Sequence, residues 1–187
     1  MARMIIELTN RCNLRCQHCF AERHAATGDL PLALLGQVLQ EGKGCGIHHL
    51  AFTGGEPTIH RQFPEIVARV CDAHYTWSMV SNGINFPQIY PLLLRSRPWF
   101  TGVTFSLDGA CEATHDQLRG SGAYRRVMRA ASGHSRGRRP IGRRRPRTGG
   151  PRRSQRARRR ASSTRMSPPV SLLTSSTWSS WSSSGSW

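Results

Sequence analysis

Four short apolar runs recur along the front part of the chain, and their spacing predicts β-strands. They lie at residues 4–8, 49–53, 77–81 and 103–107. Each run is followed by polar or glycine-containing residues of the kind that form turns. Short apolar runs bounded by turn residues are typical of buried strands. We therefore predict four strands, with polar side chains placed directly after each of them.

Stretches with apolar residues at helical spacing separate these strands. Residues 32–39, 63–70 and 89–93 each present one apolar face. Pro31 suits the first turn of the first helix, and the glycine-rich stretch 42–46 suits its end. This alternation predicts an α/β fold built from parallel β/α units. In such folds the functional side chains gather at the carboxyl ends of the strands.

Charge divides the chain into two unlike segments. The 187 residues include 27 Lys and Arg against 10 Asp and Glu, a formal net charge of +17. All the acidic residues lie in residues 1–131, whereas residues 132–187 carry 14 Arg and no acid. We therefore predict a folded domain over residues 1–131 and assign nearly all the excess positive charge to the rest of the chain.

Residues 132–187 are predicted to be a disordered Arg/Ser-rich tail. They show no hydrophobic period and too little apolar character to form a core. One interpretation is an arginine-rich arm that binds nucleic acid through its phosphates. The other, which we favour, is frameshifted translation of GC-rich DNA, because the chain has 26 Arg but one Lys. In that case the fourth strand is expected to be an uncovered sheet edge.

The sequence contains neither a run of 18 apolar residues nor an N-terminal signal-peptide core. We therefore expect no membrane association and a cytoplasmic location. Because thiols stay reduced in that compartment, its six cysteines are expected to be metal ligands or buried thiols.

Three of the cysteines follow the first predicted strand with the spacing C-x3-C-x2-C. Three thiolates so close together, Cys12, Cys16 and Cys19, can hold one metal centre. An iron–sulfur cluster is one candidate. Zinc is the other, because His18 or His24 could supply a fourth ligand. The cysteines alone leave the choice between cluster and zinc open.

The motifs further along resemble those of the radical S-adenosylmethionine (SAM) superfamily, of the type with a GGEP motif and a SPASM extension. The resemblance covers residues 4 to about 131. His18 occupies the aromatic position of the C-x3-C-x-aromatic-C signature. The remaining matches are Gly54-Gly55-Glu56-Pro57, Ser81-Asn82-Gly83, Ser106-Leu107-Asp108-Gly109, His115-Asp116 and Arg119-Gly120. Four of these motifs follow predicted strands in the family's order. The resemblance implies a partial (β/α)6-type barrel with about four β/α units.

The resemblance also implies an enzymatic chemistry. Cys12, Cys16 and Cys19 would bind a [4Fe-4S] cluster whose fourth iron is chelated by SAM. One-electron cleavage of SAM then yields a 5′-deoxyadenosyl radical that abstracts hydrogen from a substrate. A flavodoxin or ferredoxin is the expected electron donor, and a peptide is the favoured substrate. The alternatives are a nucleic-acid-associating protein with a metal-stabilised head, or an inactive frameshifted product.

Nine further positions are assigned to the cofactor through the resemblance. The main chain of Gly54 and Gly55 would approach the methionyl group, with Glu56 near its ammonium. The others would contact the carboxylate, ribose or adenine, and they are Ser81, Asn82, Ser106, Asp108, His18 and Arg119. Cys45, Cys71 and Cys111 are interpreted as buried thiols, because they are far apart in sequence.

Overall fold

Strands and helices alternate along the chain, as the sequence predicts. The computed structural model describes residues 2–19, 28–132 and 170–173, all within a unit formed by residues 1–133 and 168–187. The strands are β1 (Ala2–Thr9), β2 (Ile47–Gly54), β3 (Thr76–Ser81), β4 (Phe100–Ser106) and β5 (Val170–Leu173). The helices are α1 (Leu32–Gly44), α2 (Phe63–Asp72), α3 (Phe86–Arg95), α4 (Glu112–Arg119) and α5 (Ala123–Ala131). A 3-10 turn spans Pro57–Ile59.

The strands form one parallel sheet in the order β1-β2-β3-β4-β5. Helices connect the first four strands, so the predicted α/β class and its four β/α units are confirmed. Parallel strands joined in this way align their carboxyl ends along one edge. None of the helices in the described part of the chain is both long and apolar enough to cross a bilayer.

The core lies between one face of the sheet and the helices. Alternate residues of β3 and β4 are buried, as expected for strands covered by helices on one face. Trp77 lies near the centre of this core and contacts the rings of Phe52, Phe63 and Phe100. Burial of each such ring contributes roughly 1.5–3 kcal/mol. This packing fixes the strands and hence the positions of the loops at their carboxyl ends.

One strand was not predicted from the sequence. Val170–Leu173 forms β5 and pairs in parallel with β4, with Val103 opposite Val170 and Ser106 opposite Leu173. The expectation that β4 would be an uncovered edge is therefore wrong. Val-Ser-Leu-Leu is a short apolar run, which the serine-rich composition around it conceals. Apart from Ser132, the rest of the predicted tail lies outside the described residues.

Candidate metal centre

The three motif cysteines lie on the loop that leaves the carboxyl end of β1. Cys12 and Cys19 are exposed, Cys16 is half-buried, and all three are free thiols. Although Cys12 is exposed, nearby protein atoms partly remove water from its thiol and so raise its pKa, and the charges of Glu56, Cys16 and Cys19 add to the rise. The three thiols therefore lie within electrostatic range of one another, and ligation of a metal would have to displace their protons.

N–H groups from three parts of the chain are directed at two of the sulfurs. The main-chain N–H of Leu14 lies 3.4 Å from the Sγ atom of Cys12, and the side-chain amide of Asn82 lies 3.8 Å from it. The guanidinium of Arg119 lies 3.8 Å from the Sγ atom of Cys16. Hydrogen bonds to sulfur are one means by which proteins set the potential of an iron–sulfur cluster. Free thiols surrounded by N–H donors therefore fit a cluster.

The predicted zinc alternative would need a fourth ligand beside the three cysteines. The first candidate, His18, directs its Nε2 atom to the carboxylate of Asp108, 3.1 Å away, and its buried Nδ1 atom has no hydrogen-bond partner. His24 lies outside the described residues. Within residues 2–19, 28–132 and 170–173, no three His, Cys, Asp or Glu side chains converge on a single metal-ion position.

Glu56 links the carboxyl ends of β2 and β3. Its side chain is 1% exposed and accepts hydrogen bonds from the Thr58 hydroxyl at 2.6 Å and the Ser81 hydroxyl at 3.0 Å. It also accepts from the main-chain N–H groups of Asn82 at 2.8 Å and Thr58 at 3.3 Å. Burial raises the pKa of Glu56, while these hydrogen bonds oppose the rise. Two predicted cofactor residues, Glu56 and Ser81, are thus bonded to each other.

Asn82 connects this arrangement to the cysteine loop. Its side-chain amide donates to the Oδ1 atom of Asn13 at 2.7 Å as well as approaching Cys12. The side-chain carbonyl oxygen of Asn82 accepts a hydrogen bond from the main-chain N–H of Ile84 at 3.0 Å. A continuous set of hydrogen bonds therefore runs from Glu56 through Asn82 to the segment that contains Cys12.

Asp108 is the centre of a second arrangement at the same edge. Its side chain is 2% exposed, forms an ion pair with Arg119 and lies 3.1 Å from the Nε2 atom of His18. The main-chain N–H of Gln17 donates to the carbonyl of Leu118 at 2.8 Å, so α4 contacts the cysteine loop directly. The resemblance implies that His18, Asp108 and Arg119 each contact SAM. The structure brings them into contact with one another.

Gly54 and Gly55 lie where β2 passes closest to the end of β1. Gly54 has a φ of 124°, which disfavours any other residue. A Cβ atom on Gly54 would clash with the main-chain oxygen of Thr9, and one on Gly55 with that of Arg11. Gly55 and Glu56 also donate main-chain hydrogen bonds to these two oxygens, at 2.7 and 2.9 Å. The glycines therefore allow close contact with the cysteine loop, a reason independent of any ligand.

The remaining predicted positions are more scattered. Ser106 ends β4 at the same sheet edge and is half-buried. Cys45 and Cys111 are exposed and Cys71 is half-buried, so the prediction of three buried thiols is wrong for the first two. Cys45 follows the end of α1 and Cys111 precedes α4, positions where apolar sequence neighbours do not ensure burial.

Sequence reasoning missed the residues at the base of the cysteine loop. Thr9, Arg11 and Asp29 contact one another there. Asp29 stands ten positions beyond the last motif cysteine, between Gly28 and Leu30, and it belongs to none of the motifs. The one available signal was a Gly-Asp pair before α1, which indicates a turn. A turn signal does not show which side chains Asp29 contacts.

Known proteins share the front part of this chain. It is 29% identical over 126 residues to mycofactocin maturase MftC of Mycobacterium tuberculosis, covering 66% of this chain and 32% of that protein. It is 32% identical over 128 residues to the sporulation killing factor maturation protein SkfB of Bacillus subtilis, covering 66% and 30%. It is 31% identical over 106 residues to GTP 3′,8-cyclase of Chlorobaculum tepidum, covering 55% and 32%. The chain spans about a third of the length of these relatives.

Solved structures share the fold. SuiB of Streptococcus suis, bound to SAM, superposes with a TM-score of 0.61 at 18% identity, covering 69% of this chain and 30% of that one. The anSMEcpe protein, with bound AdoMet and a Cp18Cys peptide, gives a TM-score of 0.56 at 23% identity, covering 70% and 38%.

The family model of the radical SAM superfamily matches residues 6–132, which is more than half of the chain. The matched range contains the three cysteines and every motif position described above. The relatives of this chain include enzymes. The cofactors of the superfamily are a [4Fe-4S] cluster and SAM. The chain belongs to the radical SAM superfamily.

Proposed function

We propose that this chain forms the cluster- and SAM-binding part of a radical SAM enzyme that modifies a peptide. The observation that carries the proposal is the set of three free thiols, with N–H donors aimed at Cys12 and Cys16, at the edge where the motif residues meet. When bound, the cluster and SAM supply one electron and a 5′-deoxyadenosyl radical able to remove hydrogen from a substrate. We infer that the thiol side chains hold the three non-SAM irons.

The chain's own residues would orient these ligands. Asn82 and Arg119 direct N–H groups at the sulfurs of Cys12 and Cys16, so they would stabilise the thiolate forms. Glu56 holds the main chain of Asn82 in place. We retain as candidate SAM-binding positions Gly54, Gly55, Glu56, Ser81, Asn82, Ser106, Asp108, His18 and Arg119. The residues in this set that already hydrogen-bond to one another would contribute to SAM binding mainly by holding the carboxyl edge of the sheet in a fixed shape.

A peptide is the proposed substrate because two relatives are named for maturation and a solved structure of similar fold contains a peptide. MftC and SkfB are maturation proteins, and SuiB has been seen with a precursor peptide. The match to a GTP cyclase makes a nucleotide the main competing class. The cysteines require a reducing compartment such as the cytoplasm, and a flavodoxin or ferredoxin would supply the electron.

Reconstitution with iron and sulfide under anaerobic conditions tests cluster binding. We expect the full chain to take up about four irons and four sulfides. Cys12→Ala should abolish this uptake, because a cluster needs all three thiolates. Cys45→Ala removes an equally exposed thiol outside the motif and should retain it. Zinc uptake without sulfide, or equal cluster content in both variants, would defeat the proposal.

The substrate class needs a separate assay. The reconstituted chain, supplied with SAM and a reductant, would be offered a mixed peptide library or GTP. We expect 5′-deoxyadenosine formation to rise with peptide, accompanied by a mass change in the peptide. A rise with GTP alone would contradict peptide modification while leaving radical SAM chemistry intact.

A further inference from the structure

The segment that carries the three cysteines is closed at its base by main-chain contacts. Asn10 donates its N–H to the carbonyl of Gly28 at 3.2 Å, and Gly28 returns an N–H to the side chain of Asn10 at 2.8 Å. Thr9 and Asp29 form an antiparallel bridge directly beside this pair. The chain thus leaves β1, passes through all three cysteines and comes back to the same point before α1.

The side chain of Asp29 stabilises this closed arrangement. Its carboxylate accepts the Thr9 hydroxyl at 2.7 Å and two guanidinium nitrogens of Arg11 at 2.7–3.0 Å. The contact with Arg11 is bidentate, the strongest and most directional form of such a pair. We refer to Thr9, Arg11 and Asp29 as the Asp29 clamp.

The clamp also connects the cysteine loop to the turn that follows β2. The guanidinium of Arg11 donates to the carbonyl of Ile59 at 3.1 Å, and the carbonyl of Arg11 accepts the N–H of Glu56 at 2.9 Å. Arg11 is the residue immediately before Cys12. Any displacement of the Arg11 main chain would therefore move the first cysteine relative to the sheet edge.

The setting of this ion pair differs from that of an ordinary surface pair. The side chains of Arg11 and Asp29 are 29% and 20% exposed, whereas those of the Arg69–Glu65 pair on α2 are 44% and 47% exposed. The α2 pair joins residues one helical turn apart. The clamp instead joins the two ends of a long segment, where closure lowers the number of conformations open to the cysteines.

We propose that Asp29 is a positioning residue, which through Arg11 and Thr9 holds the cysteine loop in the arrangement that receives the cluster. This inference rests on the proposed function, because it concerns the same three thiols. Metal ligands depend on neighbouring residues that fix their orientation, and loss of such residues commonly weakens metal retention roughly 10-fold to 100-fold. Asp29 would be one of these neighbours although it lies outside the cysteine motif.

Cluster retention in the full-length chain tests the proposal. Wild type, Asp29→Asn and Glu65→Gln would be reconstituted alike, and loss of iron to a chelator would be followed with time. Both substitutions replace a carboxylate paired with arginine by an isosteric amide. We expect Asp29→Asn to lose iron roughly 10-fold faster or more, and Glu65→Gln to match wild type. Thr9→Ser keeps the hydroxyl and should also match wild type, whereas Thr9→Val should lose iron faster.

The reduced cluster's electron paramagnetic resonance spectrum supplies a readout that general destabilisation would not move. We expect the folded fraction of Asp29→Asn, matched to wild type by circular dichroism, to show a broadened or shifted signal. Equal retention and equal spectra in Asp29→Asn and wild type would overturn the clamp. Iron loss that only tracked the unfolded fraction would also overturn it. Failure of the wild-type chain itself to hold a cluster would instead refute the proposed function.

Discussion

Glu56 shows how single residues build this sheet edge. One buried carboxylate receives hydroxyl and main-chain donors from the turn after β2 and from the end of β3. Each donor would be left unsatisfied if the carboxylate were lost, and an unsatisfied buried donor costs more than the net value of its hydrogen bond. The residue therefore acts as a structural junction even before any cofactor binds.

Glu56→Gln should lower the free energy of unfolding of the cofactor-free chain by roughly 1–3 kcal/mol. The new amide must point its NH2 group at the N–H of Asn82 or at the donors of Thr58 and Ser81. Urea unfolding checks this, with the exposed Glu65→Gln expected within about 0.5 kcal/mol of wild type. Unchanged stability together with weaker SAM binding would show that Glu56 serves the ligand alone.

Sequence reasoning located the polar residues of the edge but not their partners. His18, Asp108 and Arg119 each follow from a motif, yet their mutual contacts depend on how α4 lies against the cysteine loop. Asp29 had no motif at all. Side-chain pairing between distant segments depends on tertiary placement, which local patterns do not encode.

At the level of elements, the contact between β2 and the cysteine loop is set by two glycines. Gly55→Ala should impair cluster uptake, because its Cβ atom would push the main chain of Arg11 and with it Cys12. Gly36→Ala is the matched control, since nothing lies within 4 Å of the added atom and Gly36 is inside α1. That variant should be more stable by about 0.5–1 kcal/mol. Iron content and unfolding midpoints test both, and full uptake in Gly55→Ala would contradict the contact.

The start of α5 depends on a carboxylate from α4. Asp116 accepts the N–H groups of Tyr124 at 2.8 Å and Gly122 at 2.6 Å, and these hold its pKa below the usual range. Because the pKa is lower in the folded state, ionised Asp116 stabilises the protein at pH values above its unfolded-state pKa of about 3.9. This stabilisation is lost as the pH falls through the pKa that Asp116 has in the folded protein. Asp116→Asn should therefore lower stability at pH 7, with the deficit shrinking in acid.

Urea unfolding of wild type and Asp116→Asn at neutral and acidic pH measures that deficit. Asp72→Asn, which changes an exposed carboxylate at the end of α2, is measured alongside as the matched control. A deficit for Asp116→Asn that stayed constant with pH would mean that its ionisation does not stabilise α5.

Element prediction succeeded where periodicity was clear. The first four strands and the first three helices agree with their apolar patterns, because each buries one regular face. β4 begins at Phe100, three residues before its predicted start, since Phe100 packs on Trp77 beyond the interruption at Gly102. α4 and α5 were not predicted, because they are short and contain few large apolar residues.

On the scale of the whole molecule, five parallel strands carry the cysteine loop at one edge of the sheet. The aligned part of the chain covers 32% of MftC and 30% of SkfB. The family model matches residues 6–132, and a domain boundary after residue 131 stays a prediction from the charge contrast. The charge contrast did not reveal β5, because composition averages over a window longer than four residues.

The pairing of β4 with β5 has a consequence for biosynthesis. Neighbouring strands among the first four are separated by one helical connection, whereas Val103 pairs with Val170 far along the chain. Closure of so long a loop is slow, and domains fold from their N-termini while synthesis continues. A nascent chain therefore exposes the outer edge of β4 for an interval before β5 emerges. During that interval the rate of translation and the availability of chaperones decide whether two new chains pair at that edge.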